Sequence, residues 1–184
     1  MRLGFALIGL ALFSACWAAD DTILKLDGYD VVVPANSPVK LAPQPDKESD
    51  AIASFDGQLT LTGEYTYGWD SFDEDGMDWL TLSFTPDKAV VGRLPHMKDR
   101  PADFFEFVNE DDFITAAIPS QTLKLLKDKK VKSVNGRITI VADHFTIAHI
   151  PCDTTGYLIR FISVQHPAVA KLSRKFGGSS AGCG

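Results

Sequence analysis

VNGRITIVADHFTI, residues 134–147, decides the reading of this chain, because an earlier stretch, FDGQLTLTGEYTY at residues 55–67, repeats its pattern. Gly57 aligns with Gly136, Leu59 with Ile138, Thr60 with Thr139 and Leu61 with Ile140. Further on, Gly63 aligns with Ala142, Glu64 with Asp143 and Tyr65 with His144, all at one offset of 79 residues. In the earlier copy Leu59, Leu61, Gly63, Tyr65 and Tyr67 alternate with Gln58, Thr60, Thr62, Glu64 and Thr66. That period of two marks a half-buried strand, since successive side chains leave a strand on opposite faces. The later copy changes phase: Ile138, Ile140, Ala142 and His144 share a face, and then Phe145 and Ile147 become the apolar members. A phase slip inside one strand predicts a bulge or a sharp bend.

Working outward, residues 22–26 and 29–33 read as two short strands joined by a turn at Asp27-Gly28. Residues 34–50 carry Pro34, Pro38, Pro43 and Pro45 and end in DKESD, which reads as a linker because proline removes ladder donors. Residues 69–78 form an acidic loop, and 79–84 the next strand. We expect a further strand at 89–91, a short helix at 102–108 after Pro101, and a strand at 113–117. Pro119-Ser120 opens a helix through Lys127 with Leu123, Leu125 and Leu126 on its apolar side. Lys124, Lys127, Lys129, Lys130 and Lys132 cluster at its C-terminal end, where they complement the helix dipole. Residues 157–164 read as the last, buried strand, 167–176 as a short helix, and 177–184 as a glycine-rich tail.

Strands dominate and no βαβ rhythm is present, so the expected fold is mainly β with minor α. The echo divides it into two similar antiparallel β-units, residues 51–118 and 119–176, the second opened by the helix at 120–127 that joins them. Residues 20–50 precede them as N-terminal strands and linker. A small residue in mid-strand, Gly63 or Ala142, permits the tight coiling a small barrel needs. Between Phe55 and Val164 the pattern is similar to OB-like small barrels of uncharacterised exported bacterial proteins, a resemblance without a diagnostic motif.

Residues 1–19 have the layout of a secretory signal peptide: Arg2, an apolar run from Leu3 to Phe13, then small residues before Asp20-Asp21. The run is too short to span a bilayer. A second processing route stays open, since Leu12-Phe13-Ser14-Ala15-Cys16 is similar to a lipoprotein lipobox, with Phe13 departing from it and Cys16 as the lipid anchor. Either route leaves Cys152 and Cys183, an even pair that predicts one disulfide pinning the tail in a periplasmic or extracellular setting. Without Arg2, 17 Lys and Arg face 24 Asp and Glu, a net charge of −7. An acidic, exported chain whose one basic run lacks aromatics is not built for nucleic acid.

The candidate sites follow from side-chain chemistry. Tyr65, Tyr67, Trp69 and Trp79 surround an acidic loop with Asp73 and Asp75, and aromatics beside carboxylates suit a basic protein partner or a carbohydrate. Asp73-Glu74-Asp75-Gly76 is similar to a calcium loop, but the EF-hand pattern fails, with Ser71 at the first ligand place and Leu82 where the bidentate glutamate belongs, so a solvated acidic hairpin loop is expected ahead of a calcium site. His144, His149, Cys152 and His166 are the transition-metal ligand types, at no known zinc spacing. His144 is expected as a partly buried ring in the place of Tyr65. Asp143 and His144 are sequence neighbours, expected on opposite faces and so unable to form a dyad. No nucleophile elbow and no phosphate-cradling or other cofactor motif is present. The leading reading is therefore an exported, non-enzymatic binding or interaction module, a class that includes inhibitors of envelope or secreted proteins. The alternative is an exported metal-binding protein or metalloenzyme using His144, His149 and His166.

Overall fold

The computed structural model describes residues 20–43, 50–71, 78–150, 154–166 and 170–174. The predicted signal segment, Cys16 and the glycine-rich tail lie outside them. Of the described residues 57% are strand and 15% helix, so the protein is mainly β with minor α.

In chain order the elements are β1 (Thr22–Leu26), β2 (Tyr29–Val33), β3 (Lys40–Leu41), β4 (Ala51–Asp56), β5 (Leu59–Ser71), β6 (Asp78–Pro86) and α1 (Lys88–Val91). There follow β7 (His96–Met97), β8 (Glu106–Phe107), α2 (Glu110–Ala117), α3 (Ser120–Lys127), β9 (Ser133–Ile150), β10 (Thr154–His166) and β11 (Lys171–Ser173).

The two echoing stretches, expected as strands of separate units, meet as neighbours in one sheet. β5 and β9 pair antiparallel from Leu59↔Ala142 to Gly68↔Ser133, and Leu61 opposes Ile140. The echo also aligns Leu61 with Ile140, so a local two-fold runs through this fully buried pair. Each copy keeps its apolar row because both rows face the same core: Leu59, Leu61, Tyr65 and Tyr67 from β5, Val134, Ile138, Ile140 and Ala142 from β9.

The phase slip is a bulge at His144, whose φ is 51°. There β9 changes partner, from β5 up to Ala142 to β4 from Phe145 onward. Opposite it the chain bends at Gly57, whose φ of 137° few side chains adopt and where a Cβ would lie 3.0 Å from the Pro38 carbonyl oxygen.

On its other side β9 pairs antiparallel with β10, and β10 pairs parallel with β8. β5 carries β6 on its free edge. Phe105, just before β8, bridges to Phe84 of β6, its N–H donating to the Phe84 carbonyl at 3.0 Å. The hydrogen-bonded path therefore runs β5-β6-β8-β10-β9 and returns to β5, with α2 and α3 between β8 and β9 in the chain. Aromatic rings fill this circuit. Phe107 stacks on Phe113 at 4.7 Å, Phe113 meets Tyr65 and Phe161 edge-on at 5.5 Å, and Phe145 stacks on Tyr157 at 5.9 Å. The hairpin β1–β2 joins β7 in a small second sheet, fastened where the Met97 N–H donates to the Tyr157 hydroxyl at 3.0 Å.

Several local expectations give way to long-range pairing. Residues 102–108 do not form a helix: Phe105 is held by Phe84 and Glu106–Phe107 by β10, so the run is extended. Residues 113–117 belong to α2 rather than a strand. Glu110, Asp111 and Asp112 occupy its first turn, where carboxylates favour the helix dipole. Residues 88–91 make one helical turn, since the chain leaves the β5 ladder at Pro86 and the Val90 and Val91 N–H groups close on the Asp87 carbonyl. Lys171–Ser173 is a strand on β9, not helix, and within the proline-rich linker Lys40–Leu41 pairs with β4 while Val39 is buried.

Candidate functional site

A groove of about 630 Å³ opens where the ends of β5 and β6 meet the start of α2. Tyr67, Leu80 and Phe107 line it from the barrel strands, Val108 from its lip, and Glu110, Asp111, Asp112 and Ile114 from the helix. Val108 is 60% exposed, the most open large apolar side chain among the described residues.

Asn109 ties this wall to β10. The Val108 N–H donates to the Ile159 carbonyl at 3.0 Å, the last rung toward β10. The Asn109 amide supplies the next rung: its Nδ2 donates to the Phe161 carbonyl at 2.9 Å and its Oδ1 accepts the Phe161 N–H at 2.8 Å. The same Nδ2 donates to Asp112 at 2.8 Å, so Asp112 is engaged. Among the described residues, no basic side chain pairs with Glu110 or Asp111. Burial pushes the Glu110 carboxyl above its ordinary range, and the charges of Asp111 and Glu106 add to the effect. Burial likewise raises the Tyr67 phenol, again with Glu110 and Asp111 contributing. The groove thus joins an aromatic and aliphatic floor to uncompensated negative charge.

Of the residues singled out from sequence, Tyr67 lies here. Tyr65, 2% exposed, is in the core across from Gly136, and among the described residues its hydroxyl has no hydrogen-bond partner. Trp69 fastens α3: its Nε1–H donates to the Leu126 carbonyl at 2.8 Å, and the Lys129 ammonium sits 4.8 Å from its ring centre. Trp79 is 41% exposed on the outer face, opposite Asp70 in the ladder. Asp73, Asp75, Cys152 and Cys183 lie outside the described residues, and so does the disulfide expected between the two cysteines.

The histidines have separate surroundings. His144 is exposed rather than a partly buried counterpart of Tyr65. Its left-handed φ turns the ring toward its neighbour, so the Asp143–His144 contact judged impossible on a regular strand does form, at 3.1 Å. Arg160 holds the same carboxylate with two hydrogen bonds of 2.8 Å and, with His144, keeps Asp143 below the usual carboxylate range. His149 lies 3.4 Å from Asp27 and edge-on to the Tyr29 ring. His166 ends β10, its backbone paired with Thr139. Among the described residues, no group of three His, Cys, Asp or Glu is placed to hold a metal ion.

Sequence reasoning missed Leu80, Phe107, Val108, Glu110 and Asp111. The available signal was Asn109-Glu110-Asp111-Asp112, an Asn before three acids, which marks a helix start and would have turned the next run from strand to helix. No helix among the described residues is long and apolar enough to cross a membrane. No family model matches this chain, and no curated protein or solved structure matches it either.

Proposed function

We propose that this protein is an exported, non-enzymatic interaction module on an OB-like barrel, and that it holds a basic protein partner in the groove beside α2. Three features support the barrel reading: the circuit order β5-β6-β8-β10-β9, the parallel β8–β10 pair, and the helices inserted before β9. The layout of residues 1–19 and the predicted Cys152–Cys183 pair support a periplasmic or extracellular location, with a lipid anchor at Cys16 as the variant form.

The observation that carries the binding reading is the groove itself. Aromatic and aliphatic side chains form its floor, and two carboxylates without a basic partner among the described residues form its wall. Interfaces draw their binding energy from a few buried aromatic or arginine anchors, ringed by polar groups that exclude water. An inhibitor that captures a basic envelope or secreted protein is one form of this activity.

Site-specific photocrosslinking tests it. A photoreactive residue replaces Val108 in the groove or, as a control, Ile23 on β1, which is comparably exposed at 56%. In the source organism's envelope fraction, position 108 is expected to yield one discrete adduct that position 23 does not. Adducts from both positions alike, or from neither, would reject the groove as the binding surface.

A further inference from the structure

We infer that the group the groove receives is the guanidinium of a partner arginine, lying along the Tyr67 ring and forked onto Glu110 and Asp111. This rests on the reading of the groove as the partner-binding surface, and deepens it.

Tyr67 supplies the first argument. It is only 8% exposed, yet it lines the groove, and no described residue hydrogen-bonds its hydroxyl. Its ring is buried while its hydroxyl opens into the groove, where a ligand donor can replace the water that otherwise solvates it. That ligand must also tolerate the field of Glu110 and Asp111, which acts directly on Tyr67.

Charge supplies the second. Ionised carboxylates only accept hydrogen bonds, and an aromatic face repels anions and attracts cations. A neutral sugar can donate to these acceptors but leaves the repulsion among Glu106, Glu110 and Asp111 in place. A cation removes that repulsion. The protein already makes such a contact elsewhere, between Lys129 and Trp69 at 4.8 Å.

Shape supplies the third. Leu80, Phe107, Val108 and Ile114 give the groove apolar walls that match the methylene stem of a long basic side chain. Between the two basic side chains, the guanidinium is planar, weakly hydrated and able to bond two carboxylates while stacked on a ring. The ammonium is a strongly hydrated point charge.

The test is an amide NMR titration of the mature protein with acetyl-arginine amide, and with its citrulline and lysine counterparts and a neutral disaccharide. Arginine should shift the amides of Tyr67 and residues 108–112. Citrulline, which keeps the shape and loses the charge, should bind about tenfold more weakly. Glu110→Gln with Asp111→Asn should weaken arginine binding by a similar factor while the remaining amides keep their positions. Equal binding of citrulline, tighter binding of lysine, or disaccharide shifts without arginine shifts would each overturn the inference and leave the groove as a binding surface. If none of the four ligands moves a groove amide, the inference falls; should position 108 also give no crosslink, the underlying reading falls with it.

Discussion

Replacing Gly136 by alanine should destabilise the protein, although glycine is ordinarily the poorer strand residue. An added Cβ would lie 2.6 Å from Tyr65 Cε1 and 3.0 Å from both its Cζ and its hydroxyl oxygen. Contacts that short force movement, and the ring has nowhere to go. Tyr65 is 2% exposed and packs edge-on against Phe113 at 5.5 Å. Overpacking of this kind costs about 1–3 kcal/mol, and alanine's conformational advantage over glycine returns about 0.5–1 kcal/mol. The steric term wins, leaving a net loss of about 1–2 kcal/mol. For a chain of this size that lowers Tm by about 2–8 °C. Thermal melts in two backgrounds separate the cause. With Tyr65 intact, Gly136→Ala should lower Tm; with Tyr65→Leu already present, the same change should be neutral or raise it. A coupling energy of at least about 1 kcal/mol across that cycle is expected for residues in contact. Wild-type melting of Gly136→Ala, or an equal loss in both backgrounds, would refute the account of Tyr65 lying over the Gly136 backbone.

Other consequences are open to simpler measurement. Leu61 and Ile140 face each other, fully buried, at the centre of the β5–β9 ladder; truncating either to alanine should cost about 2–5 kcal/mol in denaturant unfolding, and aspartate at either place should prevent folding. Arg160 and His144 hold the Asp143 carboxyl low, so the stability they confer is present above the unfolded carboxylate value and is lost as pH falls through the lower folded one. Melting curves of wild type and Asp143→Asn should therefore differ at neutral pH and converge as the pH falls through the lowered carboxyl value of the folded protein; a gap that does not change with pH would contradict this. Trp69→Phe removes the indole bond to the Leu126 carbonyl, which also accepts the Lys129 N–H. Because that oxygen keeps a partner, the loss should stay near 0.5–1 kcal/mol, with faster amide exchange at the end of α3.

The parts of the fold legible in the sequence are those whose signals are local. The Asp27-Gly28 turn announced β1 and β2, and both residues take positive φ, 46° and 82°. The ten-residue alternation from Gln58 announced β5, and the lost phase at His144 announced the bulge. Where distant partners decide, the reading failed. The apolar spacing around Phe105 and Phe107 suits helix or strand equally, and the choice is made by Phe84 and β10. β3 and β11 are two and three residues long and exist through their pairing with β4 and β9. The groove was half legible for the same reason. Tyr67 stood out as an aromatic near acids, but its partners come from β6, β8 and α2, and only the closed circuit gathers them.

The most direct test of the central claim is the affinity of the partner captured at position 108 for wild-type protein and for the Glu110→Gln, Asp111→Asn variant. Titration calorimetry at low and at physiological salt makes the comparison. The account predicts that the variant binds at least about tenfold more weakly and loses part of the salt dependence, because it lacks the charges that complement a basic partner. Equal affinity of the two proteins at both salt concentrations would contradict it.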